Sequence, residues 1–119
     1  MNEIQSILGE IQRIRGVKGA GLLTADGMMV ASTLGEDFLD DVVAGLSSFL
    51  ISTTRRSLRE GKLGDQFERF VLNSTHGKVV LMDLGEAFLV VITNQFVDLR
   101  VNSREIQNSA DALRRAASI

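Results

Sequence analysis

The spacing of apolar and polar positions divides the chain into helical and extended segments. Near the N-terminus, apolar residues recur at the i, i+3, i+4, i+7 spacing of an amphipathic helix. These positions are Ile4, Ile7, Leu8, Ile11 and Ile14. Asn2 is a candidate cap at the start of this helix, and Gly16 is placed to end it.

The next segments have the pattern of β-strands. Val17 to Thr24 and Met28 to Ser32 are expected to form a hairpin, because Asp26-Gly27 is a preferred pair for a tight type I′ turn. Three more strands are expected at about Phe67 to Ser74, Lys78 to Leu84 and Ala87 to Thr93. Short turns join them into an antiparallel meander. The last two strands are almost continuously apolar, so the sheet needs cover on both faces.

A long helix is expected from Asp37 to about Glu60, between the hairpin and the meander. One wide apolar arc on this helix is expected to cover the sheet. The arc contains Phe38, Leu39, Val42, Val43, Leu46, Phe49 and Leu50. Outside it, Ala44, Ile51 and Leu58 recur every seven residues, which is the spacing of a narrow seam between helices. The pattern therefore predicts a second contact surface on this helix.

The chain ends in a third amphipathic helix. It is expected to run from Asp98 to about Ala117, or to start after Asn102 with Glu105 in a capping box. With this helix the order is helix, hairpin, helix, meander, helix. We expect the first and last helices to share one face of the sheet and the long helix to cover the other, in a three-layer arrangement.

Composition and charge narrow the class of protein. The chain has 119 residues, enough for one domain, and a net charge of −2, so no nucleic-acid partner is expected. No apolar run reaches the roughly 18 residues of a membrane span, and no signal peptide is recognisable at the start. The absence of cysteine fits a reducing compartment. We therefore expect a cytoplasmic protein that does not insert into membranes.

No residue pattern points to catalysis, a cofactor or a metal. Gly16, Gly19 and Gly21 do not have the Rossmann or P-loop order, and a hairpin follows where a phosphate-binding helix should begin. His76 is the single histidine and lies at a turn, without the oriented partners that a catalytic base needs. Asp40 and Asp41 are consecutive on a helix and do not face each other. The chain is expected not to be an enzyme.

The strand that begins at Phe67 follows the long helix and is a candidate edge strand. An exposed apolar edge promotes aggregation, and pairing with a second copy across a two-fold axis protects it. The seam on the long helix would then meet its own mate near the same axis. The predicted homodimer interface comprises Ala44, Ile51, Leu58, Phe67, Arg69, Phe70, Val71 and Leu72.

The first hairpin resembles that of the roadblock/dynein light chain family. The segment G16-V-K-G-A-G-L-L-T-A-D-G-M-M-V-A31 contains the family's "G-V-x-G-A" strand, its "D-G" turn and a second strand ending in Ala. The meander and the last helix fit the same domain, so the resemblance covers nearly all of residues 1–119 as one domain. It implies a profilin-like α/β/α sandwich with a five-stranded antiparallel sheet in the order 2-1-5-4-3, and a homodimer.

The resemblance also implies a non-enzymatic role. Bacterial members, the MglB-like proteins, bind a small Ras-like GTPase and can stimulate its GTP hydrolysis, whereas other members are adaptors or scaffolds. Transferred to this chain, the family geometry suggests partner contacts at Asp40, Ser47, Ile51 and Arg55. Two functions stay open: a dimeric regulator or platform for a GTPase, and a scaffold or adaptor of a dynein-type or signalling complex. A third, an enzyme or small-molecule sensor, would need a cavity lined by converging polar groups.

Overall fold

The structure is a computed structural model that describes the backbone of residues 2–117 and the side chains of residues 3–117. Its elements are α1 (Asn2–Gln12), β1 (Val17–Thr24), β2 (Met29–Ser32), α2 (Asp40–Glu60), β3 (Arg69–Asn73), β4 (Lys78–Asp83), β5 (Ala87–Thr93) and α3 (Ser103–Ala117). This is the predicted order. The side chain of Asn2, the predicted helix cap, lies outside the described residues.

The five strands form one antiparallel sheet in the order β2-β1-β5-β4-β3. Strand β5 is at its centre, where Val91 lies opposite Ala20 of β1 and Val80 of β4. Strands β2 and β3 are the two edges. The sheet order and the α+β fold class predicted from the resemblance are therefore confirmed.

The sheet separates two hydrophobic cores. The larger core packs α1 and α3 against one face, with Leu8, Leu22 and Ile106 buried in it. The smaller core lies under α2 and contains Leu23 and Phe88. Consecutive residues of a strand point to opposite faces, so Leu22 and Leu23 enter different cores. The prediction that helices cover both faces of the sheet is confirmed.

The first hairpin differs from the predicted type I′ turn. The backbone N–H of Thr24 donates to the carbonyl of Met28 at 2.9 Å, which leaves three residues in the loop. Gly27 has a φ of 94°. Among the described residues, Lys62 is the only residue other than glycine with a positive φ, so Asp26 does not have one. A type I′ turn needs positive φ at both central positions. The extra residue in this loop lets Asp26 keep an ordinary backbone conformation.

Three helix boundaries also differ from the predicted ones. Helix α1 ends at Gln12, and the chain then turns through Gly16, whose φ is 91°. Helix α2 begins at Asp40, three residues later than predicted. Helix α3 begins at Ser103, which confirms the alternative start after Asn102 and not the start at Asp98.

Candidate protein-interaction surface

Helix α2 meets the sheet through its narrow seam and one flank of its wide apolar arc, where Val43 and Leu50 pack against the core beneath the helix. Ala44, Ser47 and Ile51 are buried, with only 1%, 3% and 1% of their surface exposed. The rest of the wide arc faces solvent, with 70% of Leu39, 52% of Val42, 62% of Leu46 and 67% of Phe49 exposed. The predictions that Ala44 and Ile51 form an external seam, and that Ser47 and Ile51 contact a partner, are therefore wrong.

Small side chains explain this orientation. Alanine and serine at positions 44 and 47 let the helix axis lie close to the sheet. The neighbouring Ser48 donates its hydroxyl to the carbonyl of Ala25 at 2.8 Å, which ties α2 to the first hairpin. Gly27 of that hairpin lies so near that an added Cβ would be 3.3 Å from the Cβ of Ser48. A large residue in this seam would push the helix away from the sheet.

Arg55 holds α2 to the sheet. Its Nη2 lies 2.9 Å from Oδ2 of Asp83, and its Nε donates to the same oxygen at 3.2 Å. The guanidinium also lies 4.7 Å from the ring centre of Phe88, within cation–π range. The Asp83 side chain is fully buried and that of Arg55 is 21% exposed. The Nε and Nη2 donors of Arg55 are thus used within the fold, and a contact of this residue with a partner stays a prediction.

Asp83 also anchors the segment that enters the edge strand. Its carboxylate accepts the backbone N–H of Gly85 at 2.9 Å and that of Phe67 at 3.4 Å. The ring of Phe67 stacks on Phe88 with 6.3 Å between ring centres. One carboxylate thus joins α2, the β4–β5 turn and the start of β3.

The remaining predicted residues of α2 have intermediate or exposed positions. Asp40 is exposed, and both of its carboxylate oxygens lie 3.1 Å from the hydroxyl of Ser32. Leu58 is half-buried near the end of the helix. Contacts of Asp40 with a partner and of Leu58 with a second copy stay predictions.

Strand β3 is an edge strand that pairs only with β4. Phe67 and Phe70 pack against the core beneath α2, and Arg69 donates to the hydroxyl of Ser103 at 3.3 Å. The exposed apolar residues of the strand are Val71, at 38%, and Leu72, at 43%. Of the strand residues predicted for the dimer interface, these two present the most apolar surface to solvent.

An apolar groove of about 360 Å³ separates α2 from the edge strand. It is lined by Val43, Leu46, Ser47, Phe49, Leu50, Leu72, Val79, Val90 and Ile92. Its origin is geometric: five strands about 4.8 Å apart span about 19 Å, whereas one helix is about 10 Å wide. A single helix therefore leaves roughly half of this face without cover. The groove continues into the exposed arc of α2.

The groove has few polar groups, and the other candidate sites have structural roles. Within residues 2–117, no three His, Cys, Asp or Glu side chains are grouped to hold a metal ion. An added Cβ at Gly19 would lie 3.0 Å from the backbone of Leu34, and one at Gly21 would lie 2.7 Å from the sulfur of Met29. These glycines allow close packing. His76 is exposed at the β3–β4 turn. In the described part of the chain, no helix is both long and apolar enough to cross a membrane.

Sequence reasoning placed the contact surface on α2 but assigned it to the wrong side. Val42, Leu46 and Phe49 were expected to cover the sheet, but their side chains face solvent. The available signal was the amount of apolar surface, because an arc and a separate seam are more than one helix needs to cover a sheet. Large exposed apolar patches mark protein–protein contacts. The surface is thus typical of a protein-interaction domain.

Comparison with known proteins identifies the family. The Roadblock/LC7 domain model matches residues 3–93, and the chain belongs to this family. An uncharacterised protein of Methanocaldococcus jannaschii is 30% identical over 111 residues, covering 93% of each chain. This membership supports a regulatory, non-catalytic role.

Solved structures agree with the fold. A Roadblock/LC7 domain from Streptomyces avermitilis has a TM-score of 0.84 at 24% identity, covering 97% of this chain and 98% of that one. MglB of Myxococcus xanthus has a TM-score of 0.89 at 14% identity, covering 97% and 87%. Profilin IB of Acanthamoeba castellanii, with a TM-score of 0.58 at 17% identity over 94% and 97%, confirms the profilin-like architecture.

Proposed function

We propose that the chain forms a cytoplasmic, non-catalytic homodimer that serves as a regulatory platform for a small Ras-like GTPase. The observation that carries the proposal is the apolar surface that runs from α2 across the groove to the edge strand. We name it the α2–β3 surface, formed by Val42, Leu46, Phe49, Leu50 and Leu72. Its size and its continuity with an unpaired edge favour a protein partner.

A second copy of the chain fits this surface. If β3 pairs antiparallel with its own copy, the two-fold axis stands normal to the sheet. The same axis then brings α2 beside the α2 of the partner, antiparallel and on the same face. Leu46 and Leu72, which line the groove on both sides, would be buried together. The proposed interface keeps Val71 and Leu72 and replaces Ala44 and Ile51 with Leu46 and Phe49.

The GTPase is proposed from the family resemblance together with the surface that the dimer leaves open. The family resemblance implies that a Ras-like GTPase binds the helix-bearing face of the dimer. In this chain, Leu39 and Asp40 lie at the start of α2 and are exposed. They offer an apolar and an anionic contact on that same face. A dimer carries this pair of contacts twice.

The first test is solution mass followed by GTPase binding. The monomer has a mass of 13.0 kDa, and light scattering on the eluting peak should give twice that value. The dimer is then titrated with purified Ras-like GTPases from the source genome, each loaded with GDP or with a non-hydrolysable GTP analogue. We expect one GTPase to bind preferentially in one nucleotide state. An Asp40→Lys dimer is the variant expected to bind it more weakly.

The outcomes separate the two parts of the proposal. A monomer at all concentrations would overturn the self-pairing of the edge strand. A dimer that binds none of the GTPases in either state would retain the dimer and overturn the GTPase. The scaffold or adaptor function would then be favoured.

A further inference from the structure

The α2–β3 surface covers only one face of the sheet, and a second apolar patch borders the same edge on the other face. Side chains of β3 alternate, so Leu72 lines the groove beside α2 whereas Arg69 reaches Ser103 of α3. Val71 is on the side of Arg69, and there it lines a shallow cavity of about 430 Å³. The opposite wall of this cavity is the loop from Phe96 to Arg100.

Phe96 is the most exposed large apolar side chain among the described residues, at 81%. Val101, at 75%, lies next to it around a neighbouring cavity. The loop crosses from the end of β5 towards the edge strand, and Lys78 of β4 donates to the carbonyl of Val97 within it. Phe96, Val101 and Val71 together form an apolar patch beside an unpaired strand, and such patches mark contacts between proteins.

The loop that presents Phe96 is held in place on both sides. The backbone N–H of Phe96 donates to Oδ1 of Asn94 at 2.9 Å, and the side chain of Val97 is buried against Gly16. Farther along, the N–H of Arg100 donates to Oδ1 of Asp98 at 3.0 Å. The Arg100 side chain also bonds this carboxyl and holds its pKa below the ordinary value. The backbone that carries Phe96 is thus pre-organised, which lowers the entropic cost of ordering the loop in a contact.

We propose that Phe96 is an anchor of the homodimer on the face of the sheet opposite α2, where it packs with Val71 against the second copy. The inference rests on the proposed self-pairing of β3 and adds a contact that this pairing does not require. A buried Phe contributes about 150–250 Å², a large share of the roughly 800 Å² per partner of a standard interface. The two copies would then hold each other from both faces of the joined sheet.

Phe96→Ser tests the contact, and Met28→Ser is its matched control. Met28 is 65% exposed and lies next to β2, at the far edge of the sheet. Sedimentation velocity over a dilution series measures the dissociation constant of each dimer. We expect Phe96→Ser to raise this constant at least about tenfold, and Met28→Ser to leave it unchanged within about twofold. Circular dichroism at 25 °C should show the same fold in both variants, since both side chains are exposed.

Distances between labels test the self-pairing of β3 on which this inference rests. The chain has no cysteine, so single nitroxide labels can be attached through Gln95→Cys, next to Phe96, and through Met28→Cys. In the joined sheet, the two β2 strands are nine strand spacings apart, about 43 Å. Pulsed EPR should give a distance between copies for Gln95→Cys that is clearly shorter than that for Met28→Cys.

The results also distinguish this inference from the dimer itself. A wild-type dimer in which Phe96→Ser does not change the dissociation constant overturns the anchor and leaves the dimer intact. A wild-type dimer in which the Gln95 labels are as far apart as the Met28 labels overturns the self-pairing of β3 on which the anchor rests. A wild-type monomer overturns both. Loss of affinity in Phe96→Ser but not in Met28→Ser, with the short label distance, supports the anchor.

Discussion

At the scale of single residues, Asp83 carries more structural consequence than any group on the interaction surface. Its buried carboxylate binds Arg55 and two backbone N–H groups, so its charge is compensated entirely within the fold. Sequence reasoning could not find this contact, because Arg55 and Asp83 are 28 positions apart and no local pattern pairs them. It assigned Arg55 to a partner from the geometry that the family resemblance implies.

Replacing Asp83 with Asn should destabilise the protein strongly. The change leaves the Arg55 guanidinium partly buried without its counter-charge, and breaking a buried pair in this way costs about 3 kcal/mol. Urea denaturation at pH 7 measures the loss in the free energy of unfolding. All proteins are compared at one concentration, because dimerisation contributes to apparent stability.

Asp111→Asn is the matched control for this prediction. Asp111 pairs with Arg114 at 3.1 Å, but both side chains are more than 40% exposed. Exposed ion pairs contribute about 1 kcal/mol or less. Equal losses in the two variants would mean that burial of the Asp83 pair has no energetic consequence.

At the scale of elements, α2 shows what sequence patterns can predict and what they cannot. Periodicity located the helix and showed that it carries apolar residues on two sides. It could not decide which stripe meets the sheet, because it gives angles between side chains and not the direction of the sheet. The wide arc was assigned to the core since cores and protein interfaces share the same residue types. The small residues of the buried seam were the opposing signal.

The two sides of α2 should respond differently to the same substitution. Ile51→Asp places a carboxylate in a site that is 1% exposed, and we expect a loss of more than about 4 kcal/mol or outright unfolding. Leu46→Asp, at a site that is 62% exposed, should keep the fold but convert the dimer to a monomer. Thermal unfolding by circular dichroism and solution mass measure the two effects. A folded Ile51→Asp protein would contradict the observed orientation of the helix.

The strands were easier to predict than the helix orientation. Turn residues and continuous apolar runs marked the hairpin and the meander, and β1 has the predicted bounds, Val17–Thr24. The order of the strands came from the family resemblance, because local patterns do not say which strands are neighbours. The type of the first turn was missed since Asp-Gly also suits a three-residue loop with glycine at the left-handed position.

At the scale of the whole molecule, the layers are unequal: two helices cover one face of the sheet and one covers the other. The uncovered half lies beside β3, so the unpaired edge and the unfilled groove occupy the same side of the protein. A copy that pairs with the edge also fills the groove. In the proposed dimer, one contact would therefore both pair the edge strand and fill the groove.

Hydrogen exchange should detect this contact on the backbone. Amide protons of β3 that face solvent in the monomer should exchange at least about tenfold more slowly when the protein concentration rises through the dissociation constant, because pairing protects them. The amides of β2, the other edge, are the internal control and should not change. Concentration-independent exchange in both strands would exclude pairing through β3.

The shape of β2, the other edge strand, affects whether further copies of the chain can add to the proposed dimer. Strand β2 has four residues, its register shifts against β1, and Gln5 donates to the carbonyl of Ser32 at 3.0 Å. A subunit with two open edges can add further copies without end and form a filament. A subunit that joins through one edge, and whose second edge is short and partly capped, stops after a single addition. The irregular β2 strand therefore favours a closed particle of ten strands over a polymer.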